Sequence, residues 1–184
     1  MGDQLNQFFI DIFQHIPTSF SVGMLLVFCV GTVLLMAFLG FRKGLRWSAV
    51  LLLAEYLLLL LVSSVLTRTV QAERMFDFMP FWSYRAIREG DEPLLLQNIM
   101  NVAVFIPIGF LLCCSFRRLK WWQVLSIGAG FSLLIEVLQF VFKRGFAEFD
   151  DVFHNVLGCA IGYGVYLVVA WVVKPRERLS KTNN

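Results

Sequence analysis

The chain has 184 residues, of which 58% are hydrophobic and only 16% are charged, and its mean hydropathy is +0.71. Soluble domains carry about 25% charged residues, and a soluble fold of this length cannot bury so much apolar side chain, so that class is excluded. The net charge of +3 comes without a Lys/Arg-rich run, which removes nucleic acid as a partner.

The first twenty residues predict a short helix lying on the membrane surface. They contain no Lys or Arg, so the positively charged region of a cleavable signal peptide is missing. Apolar side chains recur at helical spacing, with polar ones on the other faces; the apolar positions are Leu5, Phe8, Phe9, Ile12, Phe13 and Ile16. Pro17 is expected to end this interfacial helix.

Five apolar segments follow, at residues 21–41, 47–66, 94–116, 121–142 and 152–173. Each is close to the ~20 residues that cross a hydrocarbon core, where a helix satisfies its own backbone. The sequence therefore predicts an all-α integral membrane bundle of about five transmembrane helices, preceded by the interfacial helix. We expect one membrane domain over residues 1–175 and a short basic tail over residues 176–184.

Basic residues predict the orientation of this bundle. They concentrate in the loop after the first span, in the loop after the third span and in the C-terminal tail. These three segments share one side if five helices alternate, and basic loops stay in the cytoplasm. We therefore expect the N-terminus outside and the C-terminus in the cytoplasm.

Polar side chains inside the spans are the candidate functional residues, because each is costly in lipid unless it is paired or hydrated. Spacings of three and four residues align such side chains on one face of the fourth span and one face of the fifth. Two asparagines enter the third span from the same side, Asn98 and Asn101. The sequence predicts one polar site near the outer face, lined by Asn101, Glu136, Gln139 and Asn155, with Arg144 and Asp151 at its mouth.

Structural interpretations of the same residues stay open. Amide and carboxyl groups on adjacent spans can serve as interhelical hydrogen bonds alone. Gly158 and Gly162 form a small-xxx-small pattern that lets a neighbouring helix approach closely. Glu55, alone near the middle of the second span, is interpreted as a buried acid, and His154 as interfacial or solvent-facing. The four cysteines lack metal-ligand spacing and are interpreted as packing residues.

The acidic turn before the fifth span carries oxygen ligands of the kind that hard cations prefer. Its spacing matches no cation-binding loop signature, so we predict no metal and no cofactor. A divalent cation at Glu148, Asp150 and Asp151 remains the minor alternative.

Three stretches resemble the VanZ-like family. Ile135-Glu136-Val137-Leu138-Gln139, Arg144, residues 148–158 and Gly162-Tyr163 are similar to its IExxQ, arginine, DxDDxxxN and GxxxGY elements. Residues 101–110 resemble its NxxxFxPxGF helix, and residues 77–81 resemble its NLIPF loop. The resemblance covers roughly residues 76–163, with Asp77 and Glu148 standing where the family usually has Asn and Asp.

The resemblance implies a multi-pass protein of the bacterial cytoplasmic membrane that acts on the cell envelope. The name-giving member of the family is associated with low-level teicoplanin resistance, so a similar role is implied here. The implied partner is a membrane lipid or a lipid-linked envelope precursor, and the oligomeric state is left open.

Binding and catalysis both remain open as mechanisms. A binding protein would place Arg144 on a phosphate and would use the amides of Asn101, Gln139 and Asn155 for sugar or amide groups.

A membrane-embedded hydrolase or transferase would instead use Glu136 as general acid or base, with Asp150 and Asp151 orienting it. A transporter or flippase is the weaker alternative, because five helices show no inverted repeat.

Overall fold

The structure is a computed structural model that describes residues 45–116 and 118–173. The predicted interfacial helix, the first predicted span and the basic tail lie outside the described residues.

Helices account for most of the described chain. Helix α1 (Leu45–Leu61) continues into a π-helical turn (Val62–Leu66), and it is followed by β1 (Met75–Asp77), α2 (Trp82–Arg88), α3 (Glu92–Ser115), α4 (Trp121–Phe142), β2 (Phe146–Glu148) and α5 (Phe149–Val173). Four helices in the described part are long and apolar enough to cross a membrane, at Ser48–Leu66, Glu92–Ser115, Trp121–Phe142 and Phe149–Val172. The prediction of an all-α membrane bundle is confirmed for these four spans.

Local sequence signals explain where the spans begin and end. Helix α3 starts with Glu92 and with a proline in its first turn, where a missing N–H costs nothing and the helix dipole favours an acid. The Gln123 side chain accepts a hydrogen bond from the Lys120 N–H at 2.9 Å and caps the start of α4. Helix α4 ends at Phe142, and the next residue, Lys143, has a left-handed φ of 55°. Helix α5 begins three residues earlier than predicted, because the acids Asp150 and Asp151 belong to its first turn.

Helices α3 and α5 pack closely because glycines remove side-chain bulk between them. A Cβ atom added to Gly158 would overlap the carbonyl oxygen of Val102, and one added to Gly162 would overlap that of Ile106. Gly109 of α3 faces the Cys159 backbone of α5 in the same way. The close helix approach predicted from the two α5 glycines is confirmed, and α3 is the neighbour.

Apolar packing fills the middle of the bundle. Tyr56, Phe105, Ile108 and Val124 are essentially inaccessible to solvent, and Cys159 is buried among them. The Tyr56 hydroxyl donates to the Val104 carbonyl at 2.7 Å and ties α1 to α3. Cys113, Cys114 and Cys159 are buried, consistent with packing.

Two short strands close one end of the bundle. Strand β1 pairs in parallel with β2, with Met75 opposite Phe146 and Asp77 opposite Glu148. At this end the π-helical turn and α4 finish, while α3 and α5 begin. We call it the polar end, because the buried carboxyl and amide side chains collect there.

Candidate functional site at the polar end

Three acidic side chains meet between α4, β2 and α5. Glu136, Glu148 and Asp151 are only 7%, 5% and 5% exposed. The backbone N–H of Glu148 donates to Glu136 Oε2 at 3.0 Å, and the charge of Asp151 acts on both glutamates. These three residues are called the carboxyl cluster. Glu136 lies about 9 Å along α4 from its end at Phe142, at the usual helical rise.

The Glu148 carboxyl is held by two donors from other elements. Its Oε2 accepts a hydrogen bond from Trp82 Nε1 at 3.1 Å, and its Oε1 accepts one from Gln97 Nε2 at 3.3 Å. Burial raises the pKa of Glu148 to about 7, and the neighbouring Asp151 adds to this shift. A carboxyl with such a pKa can take up and release a proton near neutral pH.

Asp151 lacks a hydrogen-bond donor for one of its two oxygens. Gln97 and Asn101 of α3 lie beside it, and the positive charge of Arg68 acts on it and on Glu136. Asp151 Oδ1 is nevertheless buried without a hydrogen-bond partner in the described structure. A buried acceptor left in this state is costly, and the Asn101 amide beside it has an unpartnered donor, Nδ2.

The predicted amides extend the cluster in both directions along α4 and α5. Gln139 donates to the Ser64 carbonyl of the π-helical turn at 3.0 Å, and Asn155 donates to the Ser132 hydroxyl at 2.8 Å. Three amide atoms are buried without partners among the described residues, namely Asn101 Nδ2, Gln139 Oε1 and Asn155 Oδ1. The structure thus brings Asn101, Glu136, Gln139, Asp151 and Asn155 to the polar end, on three helices.

Asp150 holds a loop instead of facing the carboxyl cluster with a free oxygen. Its Oδ1 accepts from the Phe81 N–H at 2.6 Å, and its Oδ2 accepts from the Ser83 N–H at 3.0 Å and the Ser83 hydroxyl at 2.6 Å. Phe81 has a left-handed φ of 61°, a strained conformation that these bonds stabilise. Asn98 donates to the same Ser83 hydroxyl at 3.1 Å.

Arg144 binds main-chain carbonyls rather than standing free at the mouth of the site. Its Nη1 donates to the carbonyls of Leu66 and Arg68. Next to it, Lys143 accepts from the Gln71 N–H at 2.7 Å. The end of α4 therefore fixes the loop that follows the π-helical turn.

The interpretation of Glu55 is wrong, and so is the solvent-facing alternative for His154. His154 does not face solvent: it is 2% exposed, and its Nε2 lies 2.8 Å from the Tyr84 hydroxyl, because α2 folds over the start of α5. Glu55 is not buried: its side chain is exposed on the surface of α1, on a different face from the buried Tyr56 and Leu53.

Metal ligation has no geometric support in the described part of the chain. No group of three or more His, Cys, Asp and Glu side chains there has an arrangement that could hold a metal ion. The acidic turn explains why, since the oxygens of Asp150 and Glu148 already accept hydrogen bonds from α2 and from Gln97.

Arg68, Gln97 and Trp82 are site residues that the sequence interpretation missed. Arg68 follows the second span by two residues, and Gln97 lies in the first turns of the third. A search for every polar residue within one turn of the polar span ends would have found both. Trp82 carried no such signal, because the hydrogen bond of its indole depends on how α2 folds back.

Similarity to known proteins covers most of the membrane domain. A family model described as VanZ/LLP1 matches residues 26–170. Protein VanZ of Enterococcus faecium is 30% identical over 94 residues, which are 51% of this chain and 53% of that protein. The chain thus aligns with about half the length of this curated relative. No solved structure matches the chain.

Proposed function

The chain belongs to the VanZ/LLP1 family, and on that premise we propose that it is a cell-envelope membrane protein that lowers susceptibility to teicoplanin. The proposed site of action is the carboxyl cluster, facing the outer leaflet. There the protein binds or modifies an envelope lipid or a lipid-linked precursor. The likeness to Protein VanZ supports the biological role.

The carboxyl cluster is the observation that carries the proposal. Three buried acids lie beside buried polar atoms that lack partners, among them Asp151 Oδ1 and Gln139 Oε1. Interhelical hydrogen bonds that serve the fold alone are expected to satisfy both partners. Unsatisfied atoms on three elements at one end of the bundle therefore favour a ligand-binding role.

Catalysis is the second candidate, and the Glu148 carboxyl favours it. With a pKa of about 7 and its N–H on the Glu136 carboxyl, Glu148 is suited to hold or release a proton during a reaction at neutral pH. Glu136 would then act as the general acid or base of a hydrolase or transferase on a lipid-linked substrate.

The test compares Glu136→Gln with Glu55→Gln in a susceptible bacterial host. Both variants exchange a carboxyl for an amide on a spanning helix, but Glu55 lies on the exposed face of α1. We expect wild-type protein and Glu55→Gln to raise the inhibitory concentration of teicoplanin. Glu136→Gln, at matched membrane levels, is expected to lose that effect. Equal resistance from both variants contradicts a role for the cluster.

Lipid mass spectrometry separates the two mechanisms. An enzyme leaves a converted lipid in membranes that contain wild-type protein, and Glu136→Gln abolishes the conversion. A binding protein leaves the lipid composition unchanged, and one lipid co-purifies with it.

A further inference from the structure

Arg68 is presented to the carboxyl cluster by the end of α4. Arg144 holds the carbonyls of Leu66 and Arg68 itself, which fixes the main chain on both sides of position 67. The Gln71 N–H donates a hydrogen bond to the Lys143 carbonyl at 2.7 Å and closes the same loop. The backbone of Arg68 is therefore set by α4 rather than left to a free loop.

Gly145 leaves the space that the Arg68 side chain occupies. A Cβ atom at position 145 would lie 2.7 Å from Arg68 Nη1 and 3.1 Å from its Cδ. The φ of Gly145 is +112°, a value that residues with a side chain rarely adopt. The turn after α4 thus fixes the main chain of Arg68 and leaves room for its side chain.

The guanidinium group of Arg68 has donors to spare. It is half-buried, and none of the hydrogen bonds found among the described residues uses it as donor. Its charge acts on Glu136 and Asp151 without an ion pair to either. A planar, forked cation held in this way matches the paired oxygens of a phosphate group.

Among the described residues, buried atoms of the site lack partners of both kinds: Asn101 Nδ2 lacks an acceptor, and oxygens lack donors. Asp151 Oδ1 and Gln139 Oε1 are buried without partners, on side chains that are 5% and 2% exposed. A ligand that satisfies them carries O–H or N–H groups close to its anionic oxygens. Glycerol, sugar and amine headgroups of phospholipids have this combination.

We propose that Arg68, positioned by Arg144 and Gly145, is the anion-binding residue of the site and takes a phosphate ester with a neighbouring hydroxyl or amine group. This assignment rests on the proposed function, which supplies the envelope lipid as ligand. It gives Arg144 the role of a positioning residue. Repulsion between the phosphate and the cluster is reduced because Glu148, with a pKa of about 7, can hold a proton at neutral pH.

The test measures binding of short-chain lipids to the purified full-length protein in detergent by native mass spectrometry. The probes are dioctanoyl phosphatidylglycerol, dioctanoylglycerol, which lacks the phosphate, and glycerol 3-phosphate, which lacks the chains. We expect the wild type to prefer the phospholipid over dioctanoylglycerol. Arg68→Gln should weaken phospholipid binding by roughly tenfold or more and leave dioctanoylglycerol binding unchanged.

Matched variants test whether the loss of affinity comes from Arg68 itself or from the loss of any positive charge. Arg74→Gln removes an exposed cation that lies over the Phe140 ring and is expected to bind like the wild type. Gly145→Ala keeps every charge but displaces Arg68, so it should lower phospholipid affinity in the same direction as Arg68→Gln. If Arg68→Gln does not reach the membrane, Arg68→Lys replaces it in the assay. The lysine variant should also lose affinity, because an ammonium group lacks the paired donors of a guanidinium group.

Each outcome decides the assignment. Binding of glycerol 3-phosphate that depends on Arg68 supports the phosphate chemistry with a soluble ligand, and binding of the phospholipid alone supports a lipid headgroup. An unchanged preference for the phospholipid in Arg68→Gln or Arg68→Lys overturns the inference, even if the variant melts earlier. The proposed function fails separately, when wild-type protein does not alter teicoplanin susceptibility although Arg68-dependent binding is observed.

Discussion

Glu148 links the main chain and the side chains of the site at a single residue. Its N–H donates to Glu136, while its carboxyl accepts from Trp82 and Gln97. Burial and the charge of Asp151 raise its pKa from 4.5 to about 7. The folded protein therefore binds this proton more tightly than the unfolded chain does.

A raised carboxyl pKa predicts that stability falls as the pH rises. The contribution of Glu148 is complete below pH 4.5 and is lost as the pH passes through about 7. We expect the thermal midpoint in detergent to decrease between pH 5 and 8, and Glu148→Gln to flatten this dependence. The acids that act on Glu148, which are Glu136, Asp150 and Asp151, remain in the variant. A slope unchanged by the substitution contradicts the assignment.

Asp150 and Arg144 illustrate how polar residues of a site divide their tasks. Both were predicted to touch a ligand or a reacting group. Asp150 instead accepts three hydrogen bonds from Phe81 and Ser83, and Arg144 donates to two carbonyls. Loops near a membrane site have backbone groups that need partners, and these two side chains supply them.

At the scale of elements, three consecutive residues bind helix α2 to the acidic turn and to the first turns of α5. Trp82 donates to Glu148, Ser83 to Asp150, and the Tyr84 hydroxyl contacts His154. The preceding segment exposes large apolar side chains, namely Met75, Phe76, Phe78, Met79 and Phe81. An element of seven residues is too short to be stable alone, so its position depends on these bonds.

The packing of α3 against α5 gives a prediction with an internal control. In Gly158→Ala and Gly162→Ala the new methyl group would overlap the carbonyl oxygens of Val102 and Ile106, so the helices must separate. We expect a loss of about 1–3 kcal/mol for each, measured as a lower thermal midpoint in detergent.

Gly164→Ala is the control for this packing prediction. Its added methyl group meets nothing within 4 Å, and alanine favours the helix by up to about 1 kcal/mol over glycine. The variant should therefore match or exceed the wild-type midpoint. Equal midpoints for all three alanine variants would mean that close packing of α3 and α5 does not limit stability.

At the scale of the molecule, the described spans have an apolar outer surface and share one polar end. Large side chains such as Leu133, Val137, Val168 and Trp171 point outward from the spans and are exposed, which suits contact with lipid chains. Charged residues mark both ends of α3, with Glu89 just before it and Arg118 just after it, both exposed. These two positions report which end faces outward.

The topology prediction places the polar end outside the cell and the C-terminus in the cytoplasm. In a background without other reactive cysteines, Glu89→Cys should react with a membrane-impermeant maleimide in intact cells, and Arg118→Cys should react only after lysis. A cysteine at Lys181 is expected to behave like Arg118→Cys. Labelling at position 118 or 181 from outside would reverse the orientation and move the site to the inner leaflet.

The amino-acid sequence alone determined the membrane class, the four described spans and the group of polar residues that meets at one end. Hydrophobic length and helical spacing decide these features, because a lipid environment demands helices of nearly fixed length. Tertiary structure decided what each polar group does: Arg144 and Asp150 hold loops, Glu55 faces outward, and Arg68, Gln97 and Trp82 join the site. Such roles depend on which carbonyl, amide or carboxylate another element brings within about 3 Å. The spacing of residues along one helix does not predict these contacts between elements.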